Sequence, residues 1–221
     1  MTIELKKRLT TSILLLFGLT MMFASHILLL YFLIIISIGA FVEYSSISKI
    51  IFSKRKYIEF LSNITFIIYI FIFSFFFFLA SLFHDTKVFI FLCLLICIAS
   101  DVGGLFFGRI FQGPKLTKLS PKKTISGSIG SFIFSIAINI FLTLYLFPIY
   151  SLIKMIILAL FISLGCQIGD IFFSYLKRKA KIKDTSNILP GHGGILDRID
   201  GMLLGLPFGI GISILSYYLI T

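Results

Sequence analysis

Long apolar runs separated by short basic segments dominate the chain. Runs without any charged residue predict membrane-spanning helices over Leu9–Val42, Phe60–His84, Thr124–Ile153 and Gly201–Thr221. Two more runs are each interrupted by a single aspartate, Val88–Gly108 and Met155–Leu176. Because runs of this length cross hydrocarbon as helices, the pattern predicts an all-α polytopic integral membrane protein.

The first run is too long for one span. As a single helix, Leu9–Val42 would be about 51 Å long, whereas the hydrocarbon core is roughly 30 Å thick. We therefore predict two spans that turn near Ser25–His26, which gives about seven transmembrane helices. Seven spans place every Lys and Arg except Lys87 and Lys154 on one side. The positive-inside rule makes that side, with the N-terminus, cytoplasmic.

The composition fits a membrane protein. Of the 221 residues 58% are apolar, and 20 Lys and Arg against 9 Asp and Glu give a net charge of +11. In a soluble protein this charge would favour a nucleic-acid partner. Here the membrane surface accounts for it, so no nucleic acid is expected. The three cysteines lie inside apolar runs and are predicted to be small buried residues: Cys93, Cys97 and Cys166.

Two aspartates fall inside predicted spans. Asp101 lies about two turns before Arg109, and Asp170 about two turns before Lys177, so both are predicted about 10–12 Å inside the cytoplasmic ends of their helices. Against lipid each would cost roughly 2.5–3.5 kcal/mol, so we expect both to face a partner or a wet cavity. A structural ion pair with a nearby Lys or Arg is the alternative for each.

Periodicity places polar and small residues on particular helix faces. On the sixth helix a polar stripe at spacings of three and four is predicted to line a cavity: Ser163, Gln167, Asp170, Ser174, Lys177, Arg178 and Lys181. The seventh helix carries Asp197 and Asp200 on one face, followed by glycines that allow close helix packing: Gly201, Gly205 and Gly209. The fourth helix likewise predicts a tight neighbour from one face: Cys97, Asp101, Gly104 and Gly108.

Carboxylates from three helices beside many cations favour a divalent metal with phosphate. Carboxylates that lie close together repel one another unless cations neutralise them. Hard oxygen ligands hold Mg²⁺, while Lys and Arg hold phosphates. The pattern therefore predicts phosphoryl or nucleotidyl transfer at the cytoplasmic membrane face.

The segment "SYLKRKAKIKDTSNILPGHGGILDRID" over Ser174–Asp200 resembles the signature of the phosphatidate cytidylyltransferases, also called CDP-diacylglycerol synthases. Three further segments are similar to that family: "GDIFFSYLKR" from Gly169, "SPKKTISG" from Ser120 and, more loosely, "DVGGLFFGR" from Asp101. The resemblance covers roughly Ser100–Gly201, and the first hundred residues match only in hydropathy. Phe173 stands where the family usually has an acidic residue.

The resemblance implies a reaction of CTP with phosphatidate that gives CDP-diacylglycerol and pyrophosphate, with Mg²⁺ required and a second, monovalent or divalent, cation left open. It implies that Asp170 and Asp197 hold the metal. The remaining candidates for catalysis are Asp101, Lys177, Arg178 and Asp200. Those for substrate binding are Ser120, Lys123, Thr124, Ser174, Lys183, Asp184, His192, Gly193, Gly194 and Arg198.

Several of these roles have a simpler structural alternative. For any one of the candidate cations, the alternative is a surface charge that sets topology. His192 is as well suited to a hydrogen bond within its loop as to nucleotide binding. The glycines beside it, Gly191, Gly193 and Gly194, would let backbone amides approach phosphate. Ser120, Thr124 and Ser174 are predicted hydroxyl ligands of phosphate.

The resemblance places the catalytic spans and loops over 88–221 of a single transmembrane domain, expected over 1–221, with the other spans over 9–84. It predicts a multi-pass protein of the inner (cytoplasmic) membrane whose active site faces the cytoplasm. A homodimer is also expected, although the glycine-lined helices fit packing within one chain equally well. A CTP-dependent lipid kinase is the nearest alternative function. An ion-coupled transporter is disfavoured because the acidic residues cluster on one side of the bilayer.

Overall fold

The computed structural model describes residues 10–11, 17–117, 120, 123–146, 151–191 and 193–220, with residues 146 and 216–220 described for their backbone only. Residues 17–24 are helical and are named α1 here. Six longer helices follow: α2 (His26–Ile51), α3 (Lys56–Ser81), α4 (His84–Phe111), α5 (Ile125–Leu146), α6 (Leu152–Lys179) and α7 (Leu196–Ile220). The predicted all-α architecture is confirmed.

The helices α2 to α7 are each long and apolar enough to cross a membrane. The predicted turn in the first apolar run is confirmed at Ser25, whose extended backbone (φ −138°, ψ 129°) separates α1 from α2. Much of the span predicted before this turn lies outside the described residues. A membrane span before this turn, which would bring the total to seven, therefore stays a prediction, and so does the cytoplasmic N-terminus.

The chain divides into two compact units. The first contains Met1–Val88 and Leu176–Ile199, and the second contains Phe89–Tyr175 and Asp200–Thr221. The segment between α6 and α7 thus belongs to the same unit as α2 and α3. The expectation of a single transmembrane domain stays a prediction.

In the first unit, α2 and α3 form an antiparallel hairpin. Tyr44 donates or accepts a hydroxyl hydrogen bond of 2.7 Å with Ser62, and its ring stacks on Phe66 at 4.0 Å. Farther from the turn, the hydroxyls of Ser37 and Ser74 are 2.8 Å apart. On both helices the second pair lies farther from the turn than the first, so the two helices run antiparallel. These bonds satisfy hydroxyl groups that lipid could not.

In the second unit, small residues bring helices into close contact. A Cβ atom added to Gly127 of α5 would lie 2.8 Å from the carbonyl oxygen of Gly104 in α4. One added to Gly165 of α6 would lie 2.9 Å from the Cα atom of Gly205 in α7. The tight neighbours predicted for the glycine faces of the fourth and seventh helices are therefore confirmed. The predicted burial of all three cysteines is also confirmed.

Part of the polar stripe on α6 differs from its prediction. Ser163 is fully buried, and its hydroxyl lies 2.9 Å from that of Ser100 in α4. Gln167 donates to Ser163 over 3.3 Å and accepts a hydrogen bond from the hydroxyl of Ser128 in α5. Because hydroxyls on α4 and α5 satisfy these groups, the inner end of the stripe packs against other helices and does not line a cavity.

Candidate active site

The signature segment begins where α6 ends. The amide of Ile182 donates to the carbonyl of Lys177 over 3.0 Å, and the amide of Lys181 donates to the carbonyl of Arg178 over 3.0 Å. Lys181 adopts a left-handed backbone with φ of 58°. Together these features form a Schellman motif, which terminates the helix. The motif starts the loop that carries the rest of the signature.

Asp197, in the first turn of α7, organises this loop. Its Oδ1 atom accepts a hydrogen bond of 2.7 Å from Nζ of Lys177. Its Oδ2 atom accepts from the amide of Thr185 at 2.8 Å, the hydroxyl of Thr185 at 3.0 Å and the amide of Gly194 at 3.0 Å. Three of these donor contacts converge on Oδ2, whereas Oδ1 accepts from Lys177, so the protein itself holds the carboxylate firmly in place. The side chain of Asp197 is only 5% exposed, and that of Lys177 is 11% exposed.

Glu43 of α2 is a second carboxylate on the same loop. Its Oε2 atom accepts from the hydroxyl of Thr185 at 2.7 Å and the amide of Leu196 at 2.8 Å. Its Oε1 atom accepts from the hydroxyl of Ser186 at 2.6 Å and the amide of Ile195 at 2.9 Å. The sequence did not predict this role. Glu43 directly follows the apolar run that ends at Val42, and a charged residue in that position is ordinarily taken to mark the end of a membrane span.

The glycines of the loop serve its backbone. Gly191 and Gly193 have φ angles of 78° and 82°, a region that glycine enters without steric cost. The amide of Leu189 donates to the carbonyl of Gly193 over 2.9 Å, which closes the turn. The amide of Gly194 donates to Asp197, so its predicted contact with phosphate stays a prediction. His192 lies outside the described residues.

A second lysine–aspartate pair lies in the other unit. Nζ of Lys123 is 2.5 Å from Oδ2 of Asp170, and the two side chains are 29% and 22% exposed. The backbone holds Lys123 in place, because its carbonyl accepts from Leu116 over 2.8 Å and its amide donates to Ser120 over 3.0 Å. The adjacent Thr124 caps α5, since its hydroxyl accepts from the amide of Gly127 over 3.1 Å.

Asp170 and Asp200 both border Gly201. A Cβ atom on Gly201 would lie 3.1 Å from Oδ1 of Asp170. The amide of Gly201 donates to Oδ1 of Asp200 over 3.0 Å. Within the second unit, therefore, the backbone of Gly201 in α7 borders the aspartate of α6 on one side and Asp200 on the other.

Most of the other predicted residues are accessible. The following side chains are exposed: Arg178, Lys183, Asp184 and Arg198. Ser120 and Ser174 are partly exposed. Arg178 also donates from Nη1 to the carbonyl of Ile182 over 3.3 Å. The exposed cations remain candidates for phosphate contacts.

Two positions on the helices qualify the predictions. Asp101 was expected to face a partner or a wet cavity; its side chain is exposed and interacts electrostatically with Cys166 of α6, and its role stays a prediction. Phe173, at the position that is usually acidic in the family, is 4% exposed, and its ring lies 5.2 Å from that of Phe172. Position 173 of this chain therefore offers no acidic group.

Among the residues that the structure describes, no three His, Cys, Asp or Glu side chains are grouped closely enough to hold a metal ion. Mg²⁺ commonly uses one or two carboxylates and completes its shell with substrate phosphates and water. Asp170, which is partly exposed, is compatible with that kind of site.

Comparison with known proteins gives the context for this geometry. The chain is similar to the phosphatidate cytidylyltransferase of Helicobacter pylori strain J99, with 35% identity over 126 residues, which is 57% of this chain and 46% of the relative. The enzyme of that name from Bacillus subtilis is 38% identical over 122 residues, 54% of this chain and 45% of the relative. The one from Rickettsia typhi is 36% identical over 140 residues, 59% of this chain and 60% of the relative.

The chain spans about half the length of the curated relatives that it matches. The sequence model of the cytidylyltransferase family matches residues 51–215, which include α3 to α6, most of α7 and the loop organised by Asp197. Because this match covers well over half of the chain, the protein belongs to the cytidylyltransferase family.

Proposed function

We propose that the protein is a membrane nucleotidyltransferase that joins CTP and phosphatidate to give CDP-diacylglycerol and pyrophosphate. One observation carries this proposal: the signature segment folds as one hydrogen-bonded loop around the pair of Lys177 and Asp197. The three relatives named above are all phosphatidate cytidylyltransferases, which supports the same substrates.

The reaction needs positioning and charge neutralisation more than proton transfer. A phosphate oxygen of phosphatidate forms a bond to the α-phosphorus of CTP. The bond from that phosphorus to the oxygen that bridges to the β-phosphorus breaks, and pyrophosphate leaves with the electron pair. No general base is required, because a phosphate monoester is already an anion near neutral pH. We assign the binding of the triphosphate to the exposed cations Arg178, Lys183 and Arg198.

Magnesium fits Asp170 best. Its carboxylate has one lysine partner, remains 22% exposed and lies against Gly201 together with Asp200. Asp197 has suitable oxygen atoms, but its Oδ2 already accepts from Thr185 and Gly194 and its Oδ1 from Lys177, so a metal ion there would compete with these donors. When bound, Mg²⁺ supplies charge stabilisation for the triphosphate and the departing pyrophosphate. A second cation stays a prediction.

The six apolar helices make this a membrane protein. We further propose that it is a multi-pass protein of the inner (cytoplasmic) membrane, with the signature loop on the cytoplasmic side where CTP is available. The basic segments between spans support that orientation. The relatives named above are bacterial, which supports this membrane. The proposal includes no nucleic-acid partner, and a homodimer stays a prediction.

The position of the transferred label tests the reaction. Purified protein would be mixed with phosphatidate vesicles, Mg²⁺ and CTP labelled either on the α- or on the γ-phosphate, with a chelator as control. We expect the α-label to enter the lipid, the γ-label to appear in pyrophosphate, and the chelator to stop both. Label from the γ-phosphate in the lipid would instead identify a kinase. A protein that transfers neither label, yet conducts ions in vesicles, would favour the transporter.

A further inference from the structure

Glu43 contacts both ends of the signature loop. Its partners Thr185 and Ser186 follow the end of α6, while Ile195 and Leu196 lead into α7. The two latter partners donate through backbone amides at the start of a helix, which has no intrahelical acceptors for them. One side chain of α2 thus closes the base of the loop and caps the helix that carries Asp197 and Arg198.

Only a side chain that accepts hydrogen bonds without donating any can satisfy the four contacts. Each oxygen of Glu43 receives one hydroxyl and one amide, at 2.6–2.9 Å, and the residue is only 2% exposed. A carboxylate accepts about four hydrogen bonds, whereas a glutamine side chain would turn its NH₂ group toward two of these donors. Such a group would leave buried polar atoms unsatisfied.

Glu43 is also coupled to Asp197. The hydroxyl of Thr185 lies 2.7 Å from Oε2 of Glu43 and 3.0 Å from Oδ2 of Asp197. Because a hydroxyl carries one hydrogen, the two carboxylates share a single donor. A change at Glu43 therefore alters the hydrogen bonding of Asp197 and, through it, that of Lys177.

The glycine at 194 is explained by the same carboxylate. A Cβ atom at this position would lie 2.5 Å from Oε2 and 2.6 Å from Oε1 of Glu43. Only a residue without a side chain lets the backbone approach the carboxylate this closely. Glu43 itself lies outside the residues 51–215 that the family model matches.

We propose that Glu43 is a positioning residue, which holds the signature loop in the geometry that binds the CTP phosphates. This inference rests on the proposed function. It gives α2 a role in the reaction beyond spanning the membrane, although Glu43 contacts no reacting atom itself.

The order of the loop is measured first, without nucleotide. Ile188 of the loop is 54% exposed, while the native cysteines Cys93, Cys97 and Cys166 are at most 1% exposed. A cysteine introduced by Ile188→Cys therefore accepts a spin label selectively. We expect Glu43→Gln to increase the mobility of this label, whereas Glu59→Gln leaves it unchanged. Glu59 is a suitable control because it forms a helix-surface pair with Lys56 in the same unit.

Turnover is measured next on the same variants. We expect Glu43→Gln to lower kcat/KM for CTP by about 10- to 100-fold and to raise KM for CTP, while KM for phosphatidate is unchanged. Partial unfolding would instead reduce kcat and leave both KM values as they are. Glu43→Asp keeps the carboxylate and should restore part of the loss. If Glu43→Gln fails to fold, Ser186→Ala removes a single donor and should produce the same pattern more weakly.

Two results would overturn the inference. One is a loop in Glu43→Gln that is as ordered as in the wild type, and the other is a mobile loop with unchanged kinetics for CTP. If the wild-type protein transfers no label from CTP at all, the proposed function fails. The spin-label comparison then still decides whether Glu43 holds the loop.

Discussion

The two lysine–aspartate pairs differ in how much of the carboxylate the protein itself uses. Asp197 is 5% exposed and accepts hydrogen bonds from Lys177, Thr185 and Gly194. Asp170 is 22% exposed, and Lys123 is the partner with which it forms an ion pair. A buried carboxylate that several protein donors hold fixes local structure, whereas a more open one is better placed to bind a ligand. We therefore assign loop organisation to Asp197 and metal binding to Asp170.

The largest effect is expected from the open carboxylate. Asp170→Asn should lower the transfer of α-label by roughly 10³-fold, because it removes a charge that the proposed metal site needs. Its thermal stability should stay close to that of the wild type, since partly exposed pairs contribute only about 0–1 kcal/mol. Turnover and thermal unfolding in detergent measure the two quantities. Near-normal turnover would remove Asp170 from the metal site.

The carboxylate of Asp197 should behave differently. Asp197→Asn removes the negative charge that pairs with Lys177 in a largely buried position and places an NH₂ group against donors. Breaking a buried pair in this way costs about 3–5 kcal/mol, so both stability and turnover should fall. The protein should still insert into the membrane. If Asp197→Asn unfolds at the wild-type temperature, the distinction between the two pairs is wrong.

A glycine substitution tests the packing around Asp197 and Glu43. Gly194→Ala should destabilise the protein by about 1–3 kcal/mol, because the added Cβ atom would overlap the carboxylate of Glu43. Gly211→Ala is the matched control, since no atom lies within 4 Å of the corresponding Cβ position. Thermal unfolding of the two variants gives the comparison. Equal stability of both would contradict the described contact.

The exposed cations should produce the smallest change. Arg198→Ala removes one proposed contact to the triphosphate and should raise KM for CTP by roughly tenfold, because a hydrogen bond to a charged group contributes about 1.5–3 kcal/mol. Stability should not change, since Arg198 is exposed. Lys54→Ala, in the turn between α2 and α3, serves as a control for the loss of an exposed charge. An identical KM in Arg198→Ala and Lys54→Ala would exclude the contact.

Hydropathy and glycine spacing predicted most of the fold. The turn at Ser25 followed from length alone, because a helix over the whole first run would exceed the bilayer. The close approach of Gly205 to α6 followed from its spacing, since small residues recur where membrane helices touch. Helix ends were less accurate. The stripe predicted on the sixth helix extended to Lys181, but α6 ends at Lys179 and Lys181 lies in the left-handed turn that terminates it.

The candidate site was predictable only in part. The signature identified Lys177 and Asp197, but not that two amides and a hydroxyl also bind this carboxylate. Glu43 was not predicted, because its partners lie more than a hundred residues away and no local period links them.

Metal binding to the purified protein tests the assignment of Asp170 most directly. Mn²⁺ is a paramagnetic substitute for Mg²⁺, and the electron paramagnetic resonance signal of the free ion decreases when the protein binds it. The titration is done without nucleotide, because nucleotide would itself bind the ion. We predict that wild-type protein and Asp85→Asn, which changes an exposed aspartate at the start of α4, bind Mn²⁺ equally well. In Asp170→Asn the dissociation constant for Mn²⁺ should rise by at least roughly tenfold. Wild-type affinity in Asp170→Asn would contradict the account.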